Sequence, residues 1–165
     1  MASFPQSRLR RLRELAPLRS LSQETRLSVS DFIYPMFVTH GSHVQKPIEP
    51  MPGCYQLSLD HLLEEVTEVA QLGVPGVLLF GLPESKDPMA LEAYDEQGII
   101  QEAIRVIKSA VPELLVVTDV CLCEYTDHGH CGIVENGRVD NDKSLELLSR
   151  TALSHVLAGA DVVAP

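Results

Sequence analysis

Leu114-Leu-Val-Val-Thr-Asp-Val-Cys-Leu-Cys-Glu-Tyr-Thr-Asp-His-Gly-His-Cys-Gly132 is the stretch on which the reading of the fold turns. Its first ten residues form an apolar run that reads as a strand through Cys123. Side chains alternate faces along a strand, so Asp119, Cys121 and Cys123 share one face, with Leu115 and Val117 behind them. Gly129 and Gly132 allow the following loop to turn back. Cys131 can then meet the first two thiols, with His128 or His130 nearby.

Three of the chain's four cysteines therefore fall within eleven residues. Crowded thiolates repel one another unless a cation neutralises them, and zinc matches sulfur well. A three-cysteine set leaves one tetrahedral position open, which is the mark of a catalytic rather than a structural zinc. The spacing C-x-C-x7-C is not that of a zinc finger, so buried structural thiols and redox chemistry stay open beside metal. His128 and His130 read as loop-fixing or orienting groups rather than direct ligands. Cys54, in a loop, reads as a bystander, and His40, His43, His61 and His155 as ordinary histidines.

Outward from this stretch the chain alternates. Asp31 to Val38 reads as a first strand, in which Pro35 requires an edge or a bulge. His40 to Tyr55, broken by glycines and prolines, reads as a loop. Leu59, Leu62, Leu63, Val66, Val69 and Ala70 recur at helical spacing, with Ser58 or Asp60 as the start and Gly73 as the stop. Val77 to Phe80 is a short apolar strand of the kind covered on both faces. Leu82 to Gly98, acidic and carrying Pro83 and Pro88, reads as a mobile loop. Ile100, Ala103, Ile104, Ile107 and Val111 mark a second helix ending at Pro112. Asn141 or Asp142 caps a third, which ends at Gly159, and Asp161 to Ala164 is a fourth strand.

Strands thus begin near residues 33, 77, 115 and 161, a βα repeat. Pattern alone allows a four-stranded open sheet or the first half of a TIM (β/α)8 barrel, a fold of roughly 250 residues. The half-barrel is favoured because the richest chemistry sits at the C-terminal end of a strand and nothing after Pro165 covers the last one. A glycine-rich dinucleotide turn is missing.

Composition sets outer limits. The 165 residues are 45% apolar and 22% charged, a soluble globular composition. The formal charge of −10 disfavours nucleic acid or an anionic membrane surface as partner. Residues 1–26 nevertheless carry six arginines against Glu14 and Glu24, so a basic arm precedes an acidic body. No run approaches the roughly 20 apolar residues that cross a bilayer, and reduced thiols suit the cytoplasm.

Asp119-Val-Cys-Leu-Cys-Glu-Tyr-Thr126 with His128-Gly-His-Cys-Gly132 closely resembles the zinc-site motif of the porphobilinogen synthase (5-aminolevulinate dehydratase) family. The resemblance extends through Arg8-Leu-Arg-Arg-Leu-Arg13, Tyr34-Pro-Met-Phe-Val38, Met51-Pro-Gly53, Phe80-Gly81, Val139-Asp-Asn-Asp142 and Ala158-Gly-Ala-Asp-Val-Val-Ala-Pro165. Asp127 stands where the family more often has serine and places a further negative charge beside the site. The resemblance implies an N-terminal arm over residues 1–30 and a partial TIM barrel over 31–165, truncated after its fourth strand. It implies zinc on Cys121, Cys123 and Cys131, and condensation of two 5-aminolevulinate molecules to porphobilinogen for tetrapyrrole synthesis. It also implies a homo-oligomer, an octamer in the family, held through the arm.

Asp119 is expected to bind the substrate amine or relay a proton, or else to be an ordinary buried carboxylate. The family's Schiff-base lysines belong to the second half of the barrel, as would ligands for magnesium. Lys46, Lys86, Lys108 and Lys143 match none of the catalytic positions. The chain alone is therefore expected to be inactive, with a zinc-binding or subunit-docking fragment as the alternative.

Overall fold

A computed structural model describes residue 3 and residues 5–165. Met1, Ala2 and Phe4 of the expected arm lie outside the described residues. In chain order the elements are α1 (Ala16–Leu21), β1 (Ile33–Thr39), β2 (Gln45–Pro47), β3 (Tyr55–Leu57), α2 (Leu59–Gln71) and β4 (Gly76–Leu82). There follow α3 (Ile99–Ala110), β5 (Leu115–Asp119), β6 (Ile133–Glu135), β7 (Arg138–Asp140), α4 (Asn141–Ala158) and β8 (Val162–Ala164).

The strands β1, β4, β5 and β8 lie side by side in that order, each parallel to the next. A doubly wound sheet reverses its strand order and carries helices on both faces. Here order is sequential, and one face is covered. Met36, Val38, Val77, Leu79 and Val116 are buried together with Leu62, Val66 and Val69 of α2 and Ile100, Ala103, Ile104 and Ile107 of α3. The opposite face carries Phe37 and Phe80, stacked with centroids 5.1 Å apart, and the exposed Ile33, Leu115 and Val162. Sequential parallel strands with helices on a single side are the arrangement of consecutive barrel units.

Each helix ends where elementary chemistry dictates. The amphipathic face of α2 repeats every three to four residues, and the helix gives way to Gly73 at φ +80°. Pro112, which has no N–H and clashes with a preceding turn, follows closely on α3. The cap of α4 is Asp140 rather than Asn141 or Asp142: its carboxylate accepts from Lys143 N at 3.0 Å. Gly159, at φ +112°, closes that helix.

Several expectations need correction. Strand β5 stops at Asp119, and Cys121 and Cys123 lie in the turn beyond it. The segment Leu82–Gly98 is seated on the body instead of standing free. Ala90 and Ala93 are fully buried, Asp87 N donates to Tyr125 O at 3.1 Å, and the Asp87 carboxylate accepts from Met89 N and Leu91 N. Its acidic side chains serve the loop's own backbone and His40, which contacts Glu92 at 2.5 Å. The expected loop His40–Tyr55 contains β2, which with β3 extends the sheet beyond β1. Strand β3 reaches only Phe37 and Val38 of β1, so Pro35 has a ladder partner, Leu78, on the β4 side alone and sits at a local edge, where proline is tolerated.

Candidate metal centre

The strand alternation outlives the strand. After Asp119, Val120 N still donates to Ala164 O at 3.1 Å, and Val120 and Leu122 are buried while Cys121 and Cys123 are half-exposed on the other side. Leu122 then anchors a tight turn, its carbonyl accepting from Tyr125 N at 3.0 Å and Thr126 N at 2.9 Å. Beneath this turn lies a small separate core of Ala90, Ala93, Leu122, Tyr125, Ile133 and Leu147. Tyr125 sits over Gly81, where a Cβ would collide with its hydroxyl and come within 2.6 Å of Ile100 Cγ1. The glycine of Phe80-Gly81 is thus the seat of the cysteine loop.

The return of that loop is fixed equally firmly. Thr126 Oγ1 donates to His130 O at 2.9 Å, His130 N donates to His128 Nδ1 at 3.1 Å, and Ile133 N donates to Ser144 Oγ at 3.0 Å. Gly132 passes so close to α4 that a Cβ would overlap Ser144 Oγ and lie 2.7 Å from Val139 Cγ1. The hairpin β6–β7 follows, turned by Asn136 and Gly137 at φ +52° and +74°.

These constraints bring the three sulfurs together. Cys121 Sγ lies 3.3 Å from Cys123 Sγ and 3.2 Å from Cys131 Sγ, and all three lie within 4.8 Å of one another. Zn–S bonds of about 2.3 Å at tetrahedral angles need sulfurs roughly 3.8 Å apart, so a small outward movement is the whole adjustment required. Asp119, Cys121 and Glu124 form a second, overlapping group with ligand atoms within 4.8 Å.

Electrostatics point the same way. Burial, joined by the nearby Glu124 charge, raises the Asp119 carboxyl to about 6. Burial likewise pushes the Cys121 and Cys123 thiols upward, with neighbouring thiols and Glu124 contributing. Among the described residues, Glu124 Oε2 and His128 Nε2 are buried without a hydrogen-bond partner. Several groups held in their protonated or unpaired state around a sulfur triad suit a divalent cation, which would reverse those shifts. The residues fit such an ion.

His128 accepts through Nδ1 from His130 N within the loop, and neither histidine belongs to the sulfur group. Asp127 is exposed, and the negative charge felt at Asp119 and the thiols belongs to Glu124. Sequence reasoning passed over Glu124, although its position directly after Cys123 was a usable signal. Cys54 is a free thiol remote in sequence from the triad.

A family model described as delta-aminolevulinic acid dehydratase matches residues 6–165. The chain belongs to the delta-aminolevulinic acid dehydratase family. The dehydratase of Halalkalibacterium halodurans is 51% identical over 158 residues, 96% of this chain and 48% of its own length. That of Synechococcus elongatus is 52% identical over 166 residues, 98% of this chain and 51% of its own. The chain thus spans about half the length of these curated relatives. A crystal structure of the Toxoplasma gondii dehydratase, in complex with the reaction product porphobilinogen, superposes with a TM-score of 0.89 at 38% identity. The match covers 96% of this chain and 46% of that one. The four parallel strands and the three helices between them are accordingly those of the dehydratase barrel, and the cysteine cluster is consistent with a zinc site in this family. No helix among the described residues is long and apolar enough to cross a membrane.

Proposed function

We propose that the chain supplies the metal-holding part of a porphobilinogen synthase, which condenses two 5-aminolevulinate molecules to porphobilinogen with loss of water, in the cytoplasm. The convergence of Cys121, Cys123 and Cys131 at the mouth of β5 carries the reading. Zinc bound there would act as a Lewis acid toward a substrate carbonyl. The three thiolates hold the ion and leave room for a further ligand. Asp119, the last residue of β5 on the rim, accepts a hydrogen bond from the substrate amine and orients it. Leu122 and Tyr125, buried over Ala90 and Ala93, keep water from the underside of the loop.

The Schiff-base step needs a lysine with a lowered pKa in a closed pocket, and no lysine here is so placed. Lys46 and Lys86 are exposed, Lys108 pairs with Asp161 at 2.5 Å on the helix side, and Lys143 pairs with Glu135. That step, and any magnesium site, is assigned to residues found in the longer relatives. Residues 5–32 display Leu9, Leu12, Leu15, Leu21 and Leu27 to solvent alongside their arginines, which supports an arm that docks on an acidic neighbouring subunit in a homo-oligomer such as an octamer.

Zinc content and turnover test the reading separately. Cys123→Ser is expected to remove one equivalent of bound zinc, and Cys54→Ser none; equal losses would reject the triad. The purified chain given 5-aminolevulinate and zinc should form no porphobilinogen, and turnover would mean that the essential lysine is among these four.

A further inference from the structure

A second group of metal-ligating side chains lies away from the triad, where the loop after β1 meets the start of α2. Asp60 and His61 occupy the first turn of α2, and His43 comes from seventeen residues earlier in the chain. The Nδ1 or Nε2 atoms of both histidines and a carboxylate oxygen of Asp60 all lie within 4.8 Å of one another. The two rings stand nearly edge to face, centroids 6.1 Å apart at 70°. Two imidazoles and a carboxylate form the donor set that borderline divalent cations select, zinc among them.

The geometry of the loop is what makes the group more than a chance meeting. His43 is held at φ +56°, in the left-handed region that a histidine seldom adopts. Its backbone N–H donates to Asp60 Oδ2 at 2.8 Å, and its Nδ1 lies 2.9 Å from the same oxygen. The other carboxylate oxygen accepts from Ser58 Oγ, and Ser58 Oγ in turn accepts from Val44 N at 2.9 Å. Asp60 is thereby fixed as the shared centre of the group and kept ionised, its pKa lowered to about 2 chiefly by the Ser58 hydroxyl. Glu64, 3.1 Å from His61 Nδ1 on the next turn of the helix, brings a further carboxylate to the same face.

We infer that His43, Asp60 and His61 form a second binding site for a zinc-class divalent cation, independent of the cysteine triad, which fastens the loop after β1 to the first turn of α2. The ion would replace the His43–Asp60 contact with a joint that both histidines share. Because the ligands come from two segments, binding orders the approach to β2 and β3 at the sheet edge.

The experiment uses the whole 165-residue chain and Zn²⁺ alone, counted by equilibrium dialysis after chelator treatment. In a Cys121→Ser/Cys123→Ser background, which removes the triad, one equivalent of zinc is expected to remain. His61→Ala in that background should abolish it, and His43→Asn should weaken it by more than roughly 100-fold, beyond the loss caused by changing an outer partner of a metal ligand. Asparagine tolerates the left-handed backbone, so His43→Asn leaves the loop conformation in place, and an unchanged circular dichroism spectrum verifies the fold. Absence of zinc from the double-serine chain, or zinc that survives both histidine substitutions, overturns the inference. Either result would leave the triad reading intact, since that rests on the cysteine variants.

Discussion

Acidification should weaken the strand that presents the cysteine loop, through His155. This histidine of α4 is buried, and its Nδ1 lies 3.0 Å from Thr118 Oγ1 on β5, one residue before Asp119. Burial lowers its pKa from 6.5 to about 4, an effect the Ala93 carbonyl offsets only in part. Above pH 6.5 neither folded nor unfolded chain protonates it, and stability is level. Between 6.5 and 4 the unfolded chain takes up a proton that the folded chain refuses, so stability falls by about 1.4 kcal/mol per pH unit, roughly 3 kcal/mol in all. Against a typical domain stability of about 5–15 kcal/mol that is a large fraction.

Asp119 works in the opposite sense. Its raised carboxyl gives the folded chain the greater proton affinity between pH 3.8 and about 6, which adds stability as pH falls. The measurement is therefore a difference: urea unfolding of chelator-treated chain from pH 7.5 to 4.5, for wild type and His155→Asn. Asparagine places an amide near the Nδ1 position and does not titrate. The variant should be less stable at pH 7.5, because it leaves a void, but should lose less stability on acidification to pH 4.5 by roughly 2.5 kcal/mol. Parallel curves for the two proteins would refute the assignment of a neutral, desolvated His155.

Two substitutions probe the supports of the site. Gly132→Ala drives a methyl group into Ser144 and Val139, an overpacking that costs about 1–3 kcal/mol. It should weaken zinc binding in a chelator competition by displacing Cys131, and unchanged affinity would show that this contact does not position the thiol. Asp161→Asn tests the joint between β5 and β8, where the carboxylate accepts from Val116 N at 2.7 Å and pairs with Lys108. Both partners are partly exposed, so solvent screening holds the expected loss to about 1 kcal/mol at pH 7. The Asp161 pKa is lowered, so its contribution is present above the ordinary carboxylate range and fades as pH falls below it. A difference that persists undiminished at pH 3 would contradict this.

How far the chain discloses its structure depends on where periodicity operates. Helices α2, α3 and α4 were legible because each buries a face at helical spacing and stops at Gly73, Pro112 or Gly159. Alternation from Leu115 to Cys123 placed the two thiols on one side even though hydrogen-bonded pairing ends at Asp119, because Leu122 is held inside by packing rather than by the ladder. The β2–β3 pair was hidden because three-residue strands bordered by prolines have no period to detect. The β6–β7 hairpin did have a signal, Asn136-Gly137 between apolar flanks, which is a strong hairpin turn. Contacts across long separations, such as His43 with Asp60 or Thr118 with His155, left no local trace and required the folded chain.

The triad closes a short circuit. Cys121 and Cys131 are ten residues apart, and joining points so close along a polymer removes few of its unfolded arrangements. Tying them through an ion would therefore tighten one bend without greatly raising the temperature at which the whole molecule melts. Occupancy of this centre is accordingly better followed by exchange of the amides between Leu122 and Gly132 than by a thermal scan.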